Sequence, residues 1–121
     1  METYVMARPA EHAKNLDLLF SAVADATRRS MLDRLRAGPL TVSELAHPYN
    51  MSLNAVSKHV KTLERAGLLR RTVRGREHSC ELDAARFGEA VEWMSYYTDF
   101  WNARTAALEK HLVEKRKRSA K

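Results

Sequence analysis

Polar side chains that could bind nucleic acid recur along one side of residues 52–66. At about 100° per residue in a helix, four of them fall in one stripe flanked by Ser57, namely Asn54, Lys58, Lys61 and Arg65. Lysine and arginine contact phosphates, while asparagine and serine reach base edges from a helix in the major groove. Ser52 would cap this helix, and a helix N-terminus can also receive a phosphate. The stripe predicts contact with double-stranded DNA, the alternative being an ordinary solvated helix face.

The opposite side of the same segment is apolar and is expected to pack on the core. Its members are Leu53, Val56, Val60, Leu63 and Ala66.

Charge is concentrated around this segment. The chain carries a formal net charge of +6. Between Ser52 and Arg76 there are seven basic residues and one acidic residue, Glu64. Since seven minus one is six, this stretch holds the whole excess, which suggests an anionic partner. Arg74 and Arg76 flank Gly75 at the tip of a predicted hairpin that could grip the DNA backbone or enter a narrow minor groove. The alternative for the tip is an ordinary soluble turn.

Local signals around the stripe predict a series of short elements. Asp25 is a candidate cap for a second helix, and the spacing of Thr41 and Glu44 is that of a capping box for a third. Leu40-Thr41-Val42 could be a short extended piece. Gly67 ends the fourth helix, and two extended runs hinged at Gly75 form the hairpin. The last helix is expected to reach about Lys115, with an interruption near Phe87-Gly88.

The predicted fold is mostly α with a small β-hairpin, in the order α-α-α-α-β-β-α, which is a winged helix-turn-helix. We expect a single domain over residues 1–121. Its parts are a flexible arm (1–10), dimerisation helices (11–24 and 84–115), the helix-turn-helix (41–66) and the wing (68–82).

Several motifs resemble the ArsR-type winged-helix repressors between Leu18 and Leu82. They are ADATRRSML, SELA, the run S-x-x-x-V-S-K-H-V-K-x-L-E-x-A-G-L and the R-x-G-R of the wing. The resemblance implies a homodimer that represses by occupying a near-palindromic operator. It also implies that the family's DNA-contacting positions fall on Asn54, Ser57 and Lys58, with Leu53 and His59 nearby and the wing at Arg74 and Arg76.

Many members of that family sense metals, but the ligand motifs are incomplete in this sequence. The third helix reads SELAHP and lacks the cysteines of one family site. His111 and Glu114 match half of another, whereas Thr98 and Phe100 stand where its remaining ligands are expected. We therefore expect no metal and no cofactor, and keep a metal-responsive repressor as an alternative.

Aromatic residues crowd the last helix beyond what so small a domain can bury. Pairing with the first helix of a second copy would cover them. The predicted dimer surface comprises Leu16, Leu19, Phe20, Trp93, Tyr97, Phe100, Trp101 and Leu108. The alternatives are an intramolecular core or a pocket for a small-molecule inducer, whose identity the sequence does not give.

Other function classes are disfavoured. No nucleophile–base pair, carboxylate pair or glycine-rich phosphate loop has usable spacing, so we expect no enzyme. A single cysteine, Cys80, forms no internal disulfide and is expected to be a small buried hydrophobe. Without an apolar span or secretion signal, the chain is expected in the cytoplasm, away from membranes. A winged-helix module that binds protein instead of DNA remains the rival hypothesis.

Overall fold

The computed structural model describes residues 9–119 of the chain. Its helices and strands, in chain order, are α1 (Pro9–Val23), α2 (Ala26–Leu35), β1 (Leu40–Thr41), α3 (Val42–Ala46), α4 (Leu53–Arg65), β2 (Leu69–Arg74), β3 (Glu77–Leu82) and α5 (Ala85–Ser119). The mostly helical winged helix-turn-helix predicted from the sequence is confirmed, with one additional short strand, β1.

Three helices begin at the side-chain caps that the sequence predicts. Asp25 accepts a hydrogen bond from the backbone N–H of Arg28 at 3.0 Å, and Ser52 accepts one from Ala55 N–H at 3.1 Å. Thr41 and Glu44 form the reciprocal capping box at the start of α3. These caps satisfy backbone donors that a helix cannot satisfy itself, which fixes the start of both helices of the helix-turn-helix.

Gly67 ends α4 as predicted. Its φ is +76°, a conformation that glycine adopts without steric cost. Leu68 N–H donates to Leu63 O and Gly67 N–H to Glu64 O, both at 3.0 Å, which is the Schellman pattern. The chain thereby turns sharply from α4 into the wing.

The wing is an antiparallel hairpin whose strands pair from Leu69 with Leu82 to Arg74 with Glu77. Gly75, at φ +61°, makes the turn. β1 adds a third strand against β3, with Leu40 opposite Cys80, so the strand order is β1-β3-β2. The extended segment predicted at Leu40-Thr41-Val42 is thus present as a strand, but it ends at Thr41, because the capping box starts α3 at Val42.

The core lies beneath α4. The largest fully buried side chains come from α2, α3, α4 and the sheet region: Met31, Leu45, Val56, Val60, Leu63, Leu68 and Cys80. One prediction for this apolar side is wrong. Leu53 is 56% exposed, because it is the first residue of α4 and sits at the edge of the apolar stripe, next to Ser57.

The chain divides into two compact units, Met1–Ala90 and Val91–Lys121. The first contains the winged helix-turn-helix, and the described part of the second is the later portion of α5. Helix α5 continues through Gly88 without the predicted interruption and ends at Ser119. A single glycine costs a helix only about 1 kcal/mol, which the long helix tolerates.

At the other end, α1 begins at Pro9, so the last two residues of the expected 1–10 arm are helical. The rest of that arm lies outside the described residues. None of the helices within residues 9–119 combines the length and the apolar character needed to cross a membrane.

Candidate nucleic-acid interface

The predicted stripe on α4 lies on the surface of the first unit. Asn54, Lys58, Lys61 and Arg65 are all exposed, and Ser57 beside them is half-buried. The opposite side holds Val56, Val60 and Leu63, which have no exposed surface. Packing on that side orients the polar stripe outward, because a helix cannot rotate without exposing its apolar residues.

Two arginines of the basic stretch are neutralised by acids. Arg71 Nη2 lies 2.8 Å from Glu64 Oε1, and Arg70 Nη2 lies 2.8 Å from Glu81 Oε1. The Glu81 carboxylate raises the pKa of Arg70 further above its usual value. Both guanidinium groups are therefore already paired with a carboxylate of the same chain.

The remaining basic side chains of the stretch have no acidic partner among the described residues. They are Lys58, Lys61 and Arg65 on α4 and Arg74 and Arg76 at the wing. All five are exposed. With Glu64 paired to Arg71, no carboxylate within residues 52–76 is left unpaired, so this surface carries an excess of positive charge.

A cleft of about 580 Å³ separates the start of α4 from the wing. Leu53 and Ser57 line its α4 side, and Arg76 and His78 line its wing side. Thr41 and Ser43, at the start of α3, close the end. The three parts of the motif thus meet around one concave surface.

Helix α2 holds the turn between α3 and α4 in place. Arg34 Nη2 donates to Glu44 O at 2.9 Å and Nη1 to Leu45 O at the end of α3. The same guanidinium lies 5.5 Å from the ring centroid of Tyr49, whose hydroxyl is 2.8 Å from Ser30 Oγ. The sequence analysis did not predict this role of Arg34. The only signal for it was a polar residue on the inner side of α2.

His59, which the family resemblance places near the DNA-contacting residues, is bonded to α2 through its ring. Its Nδ1 atom lies 3.1 Å from Arg28 Nη1, and Arg28 Nε also donates to Ala22 O at 2.7 Å. The Arg28 guanidinium can only donate hydrogen bonds, so His59 Nδ1 must be the acceptor of this bond. His59 is half-buried and links α4 to the α1–α2 junction.

Cys80 has the packing role that the sequence predicts. Its thiol is buried on β3, and burial raises its pKa. A thiol that stays protonated is a poor nucleophile. Among residues 9–119, no three His, Cys, Asp or Glu side chains come together in a way that could hold a metal ion.

The predicted dimer surface divides into two groups. Leu16 and Leu19 on α1 are only 7% and 4% exposed, so they belong to the core of one chain and have little surface to offer a partner. Phe20 is 36% exposed. On α5, Trp93 is half-buried, and the others are more than half exposed, namely Tyr97, Phe100, Trp101 and Leu108.

Comparison with known proteins places this geometry among transcription regulators. A family model described as a helix-turn-helix domain matches residues 23–72. The transcriptional repressor SdpR of Bacillus subtilis is 29% identical over 76 residues, which are 63% of this chain and 84% of that protein. The HTH-type transcriptional regulator Rv2034 of Mycobacterium tuberculosis is 47% identical over 53 residues, 44% of this chain and 50% of that protein.

A solved structure extends the similarity to the fold. The crystal structure of an ArsR family transcriptional regulator, RHA00566, is 38% identical and superposes with a TM-score of 0.71. The match covers 74% of this chain and 93% of that chain. About a quarter of the present chain therefore has no counterpart in that relative.

Proposed function

This chain belongs to the ArsR family of winged helix-turn-helix transcriptional regulators, and we propose that it represses transcription by occupying a near-palindromic DNA operator as a homodimer. The observation that carries the proposal is the exposed basic stripe of α4, whose lysines have no acidic partner among the described residues. Helix α4 would enter the major groove, where Lys58 and Lys61 contact phosphates. Asn54 and Ser57 would read base edges.

The wing supports the same mode of binding. Arg74 and Arg76 are exposed at the hairpin tip, beyond the two arginines that are already paired. A projecting basic loop next to a recognition helix can grip the flanking backbone or a narrow minor groove. We assign these two arginines to contacts outside the bases read by α4.

The second copy is proposed to pair along α5. Tyr97, Phe100, Trp101 and Leu108 expose between 56% and 67% of their surfaces, and large exposed apolar side chains grouped on one element are typical of an interaction surface. The homodimer implied by the family would cover these side chains. Because Leu16 and Leu19 are buried in the single chain, the partner contact is assigned to α5, and Phe20 is the one predicted α1 residue that keeps exposed surface.

Selection of bound duplexes from a random DNA pool tests this function. We expect enrichment of an inverted repeat, and footprinting should show two protected half-sites about 10–10.5 bp apart or a multiple of that spacing. A pool without enrichment at any salt concentration would overturn the proposal in favour of a protein-binding winged helix. Enrichment that requires added metal would instead identify a metal-responsive repressor.

Repression is tested separately, by placing the selected sequence between the promoter and the start of a reporter gene. Expression of the protein should lower reporter output, and a scrambled sequence of the same composition should abolish the effect. Increased output would identify an activator. A cytoplasmic location, where the DNA is, follows from the same proposal.

A further inference from the structure

Leu53 is an apolar side chain on a surface that is otherwise polar. Eight of the eleven large hydrophobic side chains that are exposed within the described residues lie on α5, the helix that carries the proposed dimer contact. Phe20, on α1, is 36% exposed. Leu53 and Val73 remain, at 56% and 55% exposure. Leu53 lies at the start of α4, and Val73 lies on strand β2, where no DNA contact is assigned to it.

The position of Leu53 in α4 is that of a base-reading residue. It is the first residue of the helix, directly after the Ser52 cap, and Asn54 follows it. The N-terminal residues of a recognition helix are those that meet base edges when the helix lies in the major groove. Leu53 also lines the cleft between Ser57 and Arg76, so its side chain is directed at the space between recognition helix and wing.

The chemistry of Leu53 restricts what it can recognise there. A leucine side chain neither donates nor accepts hydrogen bonds, and every polar group it covers in the groove loses contact with water. In the major groove, the C5-methyl group of thymine is the apolar feature that base edges present. The polar neighbours of Leu53 on α4 can form hydrogen bonds with other base atoms. The contribution specific to Leu53 is therefore an apolar contact.

We propose that Leu53 packs against the C5-methyl group of a thymine in each half-site and thereby selects thymine at that position. The inference rests on the proposed DNA-binding function and adds to it a residue that determines specificity. Burial of one methyl group corresponds to about fourfold in affinity.

Uracil substitution tests the proposal, because uracil pairs like thymine but lacks the methyl group. A labelled duplex recovered from the random pool is resynthesised with uracil at one thymine position at a time, in both half-sites. Binding is measured by fluorescence anisotropy for the wild type and for Leu53→Ala. For the wild type, we expect one position at which uracil weakens binding about fourfold for each methyl group removed.

Leu53→Ala should bind the thymine and uracil duplexes equally at that position. Leu53→Met, which keeps an apolar side chain, should retain the preference for thymine. Val73→Ala is the matched control, because it removes the other exposed apolar side chain and should leave the preference unchanged. Circular dichroism checks that each variant is folded, which the exposure of both positions favours.

Two results would overturn the inference while leaving the proposed function intact. One is wild-type binding that does not distinguish thymine from uracil at any position, and the other is a thymine preference that persists in Leu53→Ala. Failure to recover any bound duplex would overturn both the inference and the function.

Discussion

Glu64 Oε1 lies 2.8 Å from Arg71 Nη2, and this ion pair joins the recognition helix α4 to the first strand of the wing. It has two consequences for the DNA-binding surface. It neutralises the only carboxylate among residues 52–76, and it fixes the position of the wing relative to α4. The stripe on α4 and the arginines at the hairpin tip can then face the same duplex.

We predict that Arg71→Ala weakens DNA binding more than Arg70→Ala. Each variant loses one positive charge, but only Arg71 bridges to α4, whereas Arg70 pairs with Glu81 across the hairpin. The Glu64 side chain is 37% exposed, so breaking the pair should cost less than about 1 kcal/mol of folding free energy. Anisotropy titrations and urea unfolding measure the two effects, and equal losses of affinity would contradict a positioning role.

Asn54→Ala is expected to reduce sequence preference rather than overall affinity. A good amide contact to a base contributes about 1–3 kcal/mol of discrimination, so binding to a selected duplex should weaken roughly 5- to 160-fold. Binding to random duplex should change little, because phosphate contacts supply it. Competition titrations with both duplexes check this, and a uniform loss on both would instead assign Asn54 to the backbone.

Trp101→Glu should shift the protein from dimer to monomer. Trp101 is 67% exposed in one chain, and burial of a glutamate in its place would oppose association. Loss of a central interface aromatic typically costs about 2 kcal/mol or more, which is roughly 30-fold in the dimer dissociation constant. Sedimentation equilibrium measures it. Ala103→Glu, which adds the same charge on the opposite side of α5, is the control, and equal dimer formation by all three proteins would refute the α5 interface.

Asp25 makes part of the free energy of unfolding depend on pH. The hydrogen bond from the backbone N–H of Arg28, helped by the nearby Arg28 charge, lowers the pKa of Asp25 below its usual value of 3.8. Because the folded-state pKa is the lower one, the charged cap stabilises the fold above the unfolded pKa, and this stability is lost as the pH falls through the folded pKa. Asp25→Ala should cost about 1 kcal/mol at pH 7.

Asp25→Asn is the matched control for that cap. Asparagine caps helices about as well as aspartate but does not titrate, so this variant should remain close to the wild type at pH 7 and lose less stability below pH 4. Urea unfolding at a fixed protein concentration across this range compares the three proteins. Identical acid profiles for wild type and Asp25→Asn would contradict the assignment.

The features predictable from sequence are those decided by neighbouring residues. The caps at Asp25, Thr41 and Ser52 and the end of α4 at Gly67 were predicted because each depends on hydrogen bonds a few residues apart. The exposed stripe of α4 followed from helical periodicity alone. Residues and structure agree where local preference and packing favour the same result.

The errors concern contacts that periodicity does not encode. An apolar pattern does not show whether its residues are covered by the same chain or by a second copy, which is why Leu16 and Leu19 were assigned to the dimer surface. It also does not show at which residue a helix stops packing on the core, and Leu53 lies outside the packed part of α4. The contacts of Arg28 with His59 and of Arg34 with α3 join residues 31 and 10–11 positions apart, so no local rule predicts them.

The central claim is that the exposed lysines of α4 bind DNA phosphates, and the salt dependence of binding tests it most directly. Affinity for one duplex is measured by gel shift at several salt concentrations for the wild type, Lys58→Ala, Lys61→Ala and, as control, Lys14→Ala on α1. A steep negative slope is expected for the wild type, and each α4 variant should flatten it by about one unit, whereas Lys14→Ala should not. Salt-independent binding, or wild-type slopes in both α4 variants, would contradict the account.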